Sequence, residues 1–274
     1  MRTDYFTYGY SQRSPDGVIA FVHIPKTAGT TLNSILAEEY APGERHEIMM
    51  RGMSWILPRP TLLRRPLISP SKVRRLKAAV RTQSGLRLIH GHFDLSIARH
   101  FPADTQFVTL LRDPVERAIS HYYHYRRRVV DRIHPLAMRA DLAEWVRDCG
   151  IVEMDNGQTR RLAGEMNLPC GRVTLAMLDR AMSRLAKFAV VGLTERFDES
   201  LLLLQRAFGW KAKAVTAQNV GGDRPPRTEV GEEALHAIER CNRLDRELYR
   251  FASELFEKAL RRMDGAMPVA DLAA

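Results

Sequence analysis

Four short apolar runs punctuate the chain: Val18-Ile19-Ala20-Phe21-Val22, Leu86-Arg87-Leu88-Ile89-His90, Thr105 to Leu111, and Phe188-Ala189-Val190-Val191-Gly192-Leu193. Each is short, rich in branched residues and bounded by turn formers, so each reads as a buried strand. Between them the pattern predicts helices from Thr30/Thr31 to Glu39, Ser71 to Val80, Pro114 to Val129, 135–148, 174–186 and Asp198 to Phe208. A last long helix over 230–263 lines Leu235, Ile238, Leu244, Leu248, Phe251 and Leu255 along one face. Residues 51–75 carry Pro58, Pro60, Pro66 and Pro70 and read as an irregular insertion. Strands alternating with helices predict an α/β fold with a largely parallel sheet.

Composition narrows the class. With 45% hydrophobic and 27% charged residues over 274 positions, disordered, collagenous and coiled-coil classes are excluded. The length suits a single domain, 1–274, with a frayed tail at about 265–274. Cys149, Cys170 and Cys241 are sparse and far apart, against a disulfide scaffold or a zinc site. No run approaches the roughly 18 apolar residues of a membrane span. The N-terminal residues lack the apolar core of a signal peptide, so a soluble, cytoplasmic protein is expected.

Charge changes the picture more. The net charge is +10, from 42 Lys and Arg against 32 Asp and Glu. No acidic residue falls between Glu47 and Asp94, a stretch holding Arg51, Arg59, Arg64, Arg65, Lys72, Arg74, Arg75, Lys77, Arg81 and Arg87. Such a segment suits phosphates, sulfated or carboxylated sugars or anionic lipid. It serves acceptor binding or peripheral membrane contact, or is a solvated face. No DNA or RNA recognition motif accompanies it, so nucleic acid is not an expected partner.

Two segments carry candidate chemistry. In HIPKTAGTTL, residues 23–32, a short loop joins a strand to a helix N-terminus, where backbone N–H groups and the helix dipole favour an anion. Ala28 and Gly29 let a phosphate approach, Thr30 and Thr31 offer hydroxyls, and Lys26 offers an ammonium. A nucleotide-triphosphate P-loop places its lysine just before the hydroxyl residue; here Lys26 comes first. In TQFVTLLRDPVERAISHYYHYRR, Arg112 sits at the carboxyl end of a strand, with Ser120 eight positions on. Arginine and hydroxyl can converge on one phosphate; pairing of Arg112 with Asp113 or Glu116 is the competing reading.

Together, PKTAGTTL and RDPVERAISHYY resemble the two cofactor loops of the sulfotransferase superfamily, whose members use 3′-phosphoadenosine 5′-phosphosulfate (PAPS). HGHF at 90–93, DNGQTRRLAG at 155–164, VGLTERFDESL at 191–201 and CNRLDRELYRFA at 241–252 look like its carbohydrate-type branch. That branch includes heparan sulfate 2-O-sulfotransferase and bacterial relatives. The resemblance implies a P-loop-type parallel sheet flanked by helices and a sulfuryl transfer to a carbohydrate hydroxyl, with 3′-phosphoadenosine 5′-phosphate as product and no metal. It implies that Lys26 and the amides of Thr27, Ala28, Gly29, Thr30 and Thr31 hold the 5′-phosphosulfate, and that Arg112 and Ser120 hold the 3′-phosphate. His92 is then the base, and His90 orients it or touches the acceptor. Gln158, Thr159 and Arg160 look like the acceptor-side segment, with Arg160 paired to an acidic sugar or facing solvent. Arg224 and Arg227 would close over the cofactor, and His23 would sit behind the cradle. The competing classes are a nucleotide-dependent kinase, which would need the absent P-loop lysine, and a non-catalytic anionic-glycan or membrane-binding module using 51–85.

Overall fold

A computed structural model describes residues 17–49, 70–82, 85–130, 133–148, 150–211 and 224–264. Strand β1 (Ile19–Val22) is buried throughout and runs into helix α1 (Gly29–Glu39). Strand β2 (Arg45–Met49) and helix α2 (Pro70–Thr82) follow, then β3 (Leu88–His92), β4 (Gln106–Leu111) and α3 (Pro114–Arg127). Next come α4 (His134–Arg139), α5 (Leu142–Arg147), α6 (Gly157–Ala163) and α7 (Leu175–Leu185). Strand β5 (Val190–Leu193), α8 (Phe197–Phe208), α9 (Glu232–Cys241) and α10 (Arg243–Asp264) complete the described chain.

All five strands are parallel, in the order β2-β3-β1-β4-β5. The expected α/β class is therefore what the chain adopts. The main core packs Ala20, Phe21 and Val22 with Leu88, Ile89, Val108 and Leu110. A second cluster gathers α3, α4, α5 and α9 around the fully buried Trp145. From central β1 the chain moves to β2 and β3 on one side and then to β4 and β5 on the other. Connections diverge around β1, which opens a crevice at the carboxyl ends of β1, β3 and β4, where ligands of such sheets bind.

The four expected strands are present. Strand β2 is additional: Arg45-His46-Glu47-Ile48-Met49 is mostly polar because it forms a sheet edge, and only its pairing with β3 identifies it. The single helix expected over 135–148 is two, because Asp141 caps α5 in a reciprocal pair with Glu144. The helix expected over 230–263 also breaks, at Asn242, whose side chain bonds the Met154 and Ile238 carbonyls. Most of the proline-bearing stretch of 51–85 and the 265–274 tail lie outside the described residues, while α2 matches the basic helix expected there. No helix of the described residues is long and apolar enough to cross a membrane.

Candidate active site

The loop after β1 has the backbone geometry of an anion cradle. Lys26 and Ala28 take left-handed conformations, at φ 70° and 58°. Alternation of this kind turns successive N–H groups inward, toward a space at the N-terminus of α1. Thr27 is fully buried and donates its hydroxyl to the Ile24 carbonyl at 2.9 Å. Its side chain thus holds the turn. Gly29 is required: a Cβ there would lie 2.0 Å from His23 Nε2. Burial, then the positive charge of Arg112, Arg127, Arg128 and Arg224, pulls the Lys26 ammonium down to about 8. It is still mostly cationic at neutral pH.

Arg112 leaves the end of β4 and donates from Nη1 to the Lys26 carbonyl at 3.2 Å, tying the second loop to the first. Its buried Nε has no hydrogen-bond partner among the described residues, and a Glu195 carboxylate oxygen lies 3.8 Å from it. Glu116 lies between two guanidinium groups, 3.5 Å from Arg112 and 2.9 Å from Arg224. Ser120 follows Glu116 by one helical turn on the same face of α3. The structure therefore brings Lys26, Arg112 and Arg224 close together, with Ser120 one turn beyond Glu116 on α3. Arg227 instead lies 3.7 Å from Glu239 on α9.

The carboxyl end of β3 adds the histidines. His90 and His92 share a face, two residues apart on a strand. Gly91 between them has φ 129°, and a Cβ there would lie 2.3 Å from the Ile48 carbonyl oxygen of β2. The His92 ring lies against that of His23, tilted by 32°, with centroids 4.0 Å apart. Its Nδ1 donates to the His23 carbonyl at 2.9 Å. A carbonyl can only accept, so Nδ1 carries the proton and Nε2 keeps its lone pair. Burial, then the nearby Arg161 charge, holds the imidazole down at about 4, so His92 is neutral at pH 7. Burial lowers His23 and His90 as well. The buried Nδ1 of His90 is unpartnered among the described residues.

The segment expected to meet the acceptor turns inward instead. Arg160 is fully buried. It donates to the Asp155, Leu168 and Pro169 carbonyls and pairs with the Asp155 carboxylate. With its guanidinium consumed inside the protein, Arg160 has nothing to offer a sugar, and the expected acceptor contact is corrected to a structural one. Arg161 pairs with Glu153, which also pairs with Arg117 at 3.2 Å. Asp245 accepts from the amides of Gln158 and Thr159, capping α6, while Asn156 accepts from those of Leu244 and Asp245, capping α10. Charged residues such as Arg117 inside the apolar face of α3 were the available signal for this network. Among the described residues no three His, Cys, Asp or Glu side chains group to hold a metal ion.

Comparison with known proteins places the chain. It is 28% identical to human heparan-sulfate 6-O-sulfotransferase 1 over 284 residues, covering 89% of this chain and 66% of that one. It is 25% identical to human heparan-sulfate 6-O-sulfotransferase 2, covering 88% of this chain and 45% of that one. The chain thus spans from just under two thirds to less than half of these relatives. The solved structure of mouse sulfotransferase SULT7A1 complexed with PAP aligns at 13% identity and a TM-score of 0.37, covering 74% of this chain and 63% of that one. The relatives are 6-O enzymes, where the motifs resembled the 2-O enzyme; both are carbohydrate sulfotransferases. A family model described as galactose-3-O-sulfotransferase matches residues 7–269, and the chain belongs to that family.

Proposed function

We propose that this chain transfers a sulfuryl group from PAPS to a hydroxyl of a carbohydrate or glycoconjugate. One arrangement carries the reading: an N-terminal helix cradle, the Arg112 arm bonded to it at 3.2 Å, and an imidazole of defined tautomer, all at the carboxyl ends of adjacent strands. The Arg112 Nε, unpartnered among the described residues, and the nearby Arg224 suit a second phosphate, which would compete with the Glu116 and Glu195 carboxylates beside them. A family match over nearly the whole chain supports reading it as one catalytic domain.

Bound PAPS would supply the sulfuryl group and a phosphate leaving group. Lys26 and the amides of the 27–31 loop would stabilise the charge that grows on that phosphate. Arg112 and Ser120, with Arg224 beside them, would hold the 3′-phosphate and reject nucleotides that lack it. His92 would accept the acceptor hydroxyl's proton at Nε2 as the oxygen forms its bond to sulfur. His90, on the same face toward β2, would meet the acceptor.

Calorimetric titration tests the reading. 3′-Phosphoadenosine 5′-phosphate should bind at least tenfold more tightly than adenosine 5′-monophosphate, and Arg112→Ala should abolish the difference. Binding of ATP–magnesium in its place would return the chain to the kinase class.

A further inference from the structure

The Arg112 arm is held by a side chain far away in sequence. Gln158, on the first turn of α6, is fully buried. Its Oε1 accepts from the Arg112 amide at 3.1 Å, and its Nε2 donates to the Arg112 carbonyl at 2.9 Å. A primary amide that takes both polar groups of one residue mimics a strand partner and fixes that residue's backbone. Glu195 fixes the next peptide by accepting from the Asp113 amide at 3.1 Å. Gln158 is itself anchored, because its own amide donates to Asp245 Oδ2 at 3.0 Å, and Asp245 is buried against Arg117. The turn at 26–31 closes locally, the Thr27 hydroxyl donating to the Ile24 carbonyl and the Leu32 amide to the Ala28 carbonyl.

We propose that Gln158 is a positioning residue that sets the Arg112 guanidinium for the 3′-phosphate, and so sets discrimination between a 3′,5′-bisphosphate and a 5′-monophosphate. The proposal rests on the sulfotransferase reading above. Gln158 touches neither nucleotide; it acts through the Arg112 backbone. Gln158→Met keeps the volume and loses both hydrogen bonds. Gln158→Glu keeps an acceptor for the Arg112 amide and sets a carboxylate oxygen against the Arg112 carbonyl.

The test is titration of wild type and both variants with 3′-phosphoadenosine 5′-phosphate and with adenosine 5′-monophosphate, together with Arg112→Ala and the Arg112→Ala/Gln158→Met double variant. Loss of two hydrogen bonds to one loop should weaken the bisphosphate about tenfold and leave the monophosphate within about twofold. In the Arg112→Ala background, Gln158→Met should change bisphosphate binding no further, since the group it positions is gone. Equal loss of both nucleotides, wild-type discrimination in the variants, or additive losses in the double variant would each overturn the clamp while leaving the sulfotransferase reading intact. A wild type that does not prefer the bisphosphate would overturn both. Should neither Gln158 variant fold, amide exchange in the wild type decides: the Arg112 amide must be protected, and rapid exchange there sinks the proposal.

Discussion

The cradle at 23–31 and the buried segment at 153–161 are both crowded with polar residues, and they end in opposite states. In the cradle, Lys26 and Ala28 take left-handed conformations, and the Lys26 ammonium lies amid more positive charge. In the buried segment, Arg160, Arg161 and Glu153 are fully enclosed, Arg160 paired with Asp155 and Arg161 with Glu153. The first region has the geometry and charge to suit an anion. The second has spent its capacity inside the protein, where it anchors α6 and, through Gln158, the Arg112 arm. Residue type alone does not separate a binding arginine from a bracing one; complete enclosure among carbonyls and a carboxylate, as at Arg160, marks the bracing one.

The largest effect should come from breaking the brace. Arg160→Ala leaves the Asp155 carboxylate without its buried partner and should lower unfolding stability by about 3–5 kcal/mol, read by denaturant melts. Wherever the variant remains folded, the KM for acceptor should stay within about twofold. A selective rise in acceptor KM with unchanged stability would restore Arg160 to the binding surface. Lys26→Ala should do the reverse. We expect turnover to fall by about 10²–10³-fold with stability unchanged or slightly raised, because a desolvated cation amid like charges is removed. Full activity in that variant would empty the cradle of its assigned role.

The smallest effect is in the pH profile. Lys26 must be charged, so kcat/KM should fall as pH rises through about 8. His92 must be neutral, so it should also fall as pH drops through about 4. A bound phosphate favours the ammonium, so the alkaline limb of kcat should lie above that of kcat/KM. Coincident alkaline limbs would mean that no anion sits beside Lys26.

Much of this was legible in the chain. Apolar runs located four strands, and the order of Lys26, Ala28, Gly29 and Thr30 marked the tight turn into α1, because a turn at a helix N-terminus is built by neighbours in sequence. Arg112 at a strand end was legible for the same reason. Strand β2 was not, since an edge strand of polar residues is defined by its pairing with β3. Nor was the inward turn of Arg160: its partners are carbonyls and a carboxylate in loops whose course depends on the packing of α6.

By itself, then, the sequence determined the parallel α/β class, the cradle and the identity of the two loops that carry the candidate chemistry. Each depends on periodicity or on contacts between close neighbours. Only the tertiary structure decided which charges remain for a ligand. That choice turns on contacts such as Gln158 with Arg112 and Asp245 with the first turn of α6, made across 46 and 87 residues of chain. A buried charge must find a partner wherever the fold provides one, and no local pattern says where that will be.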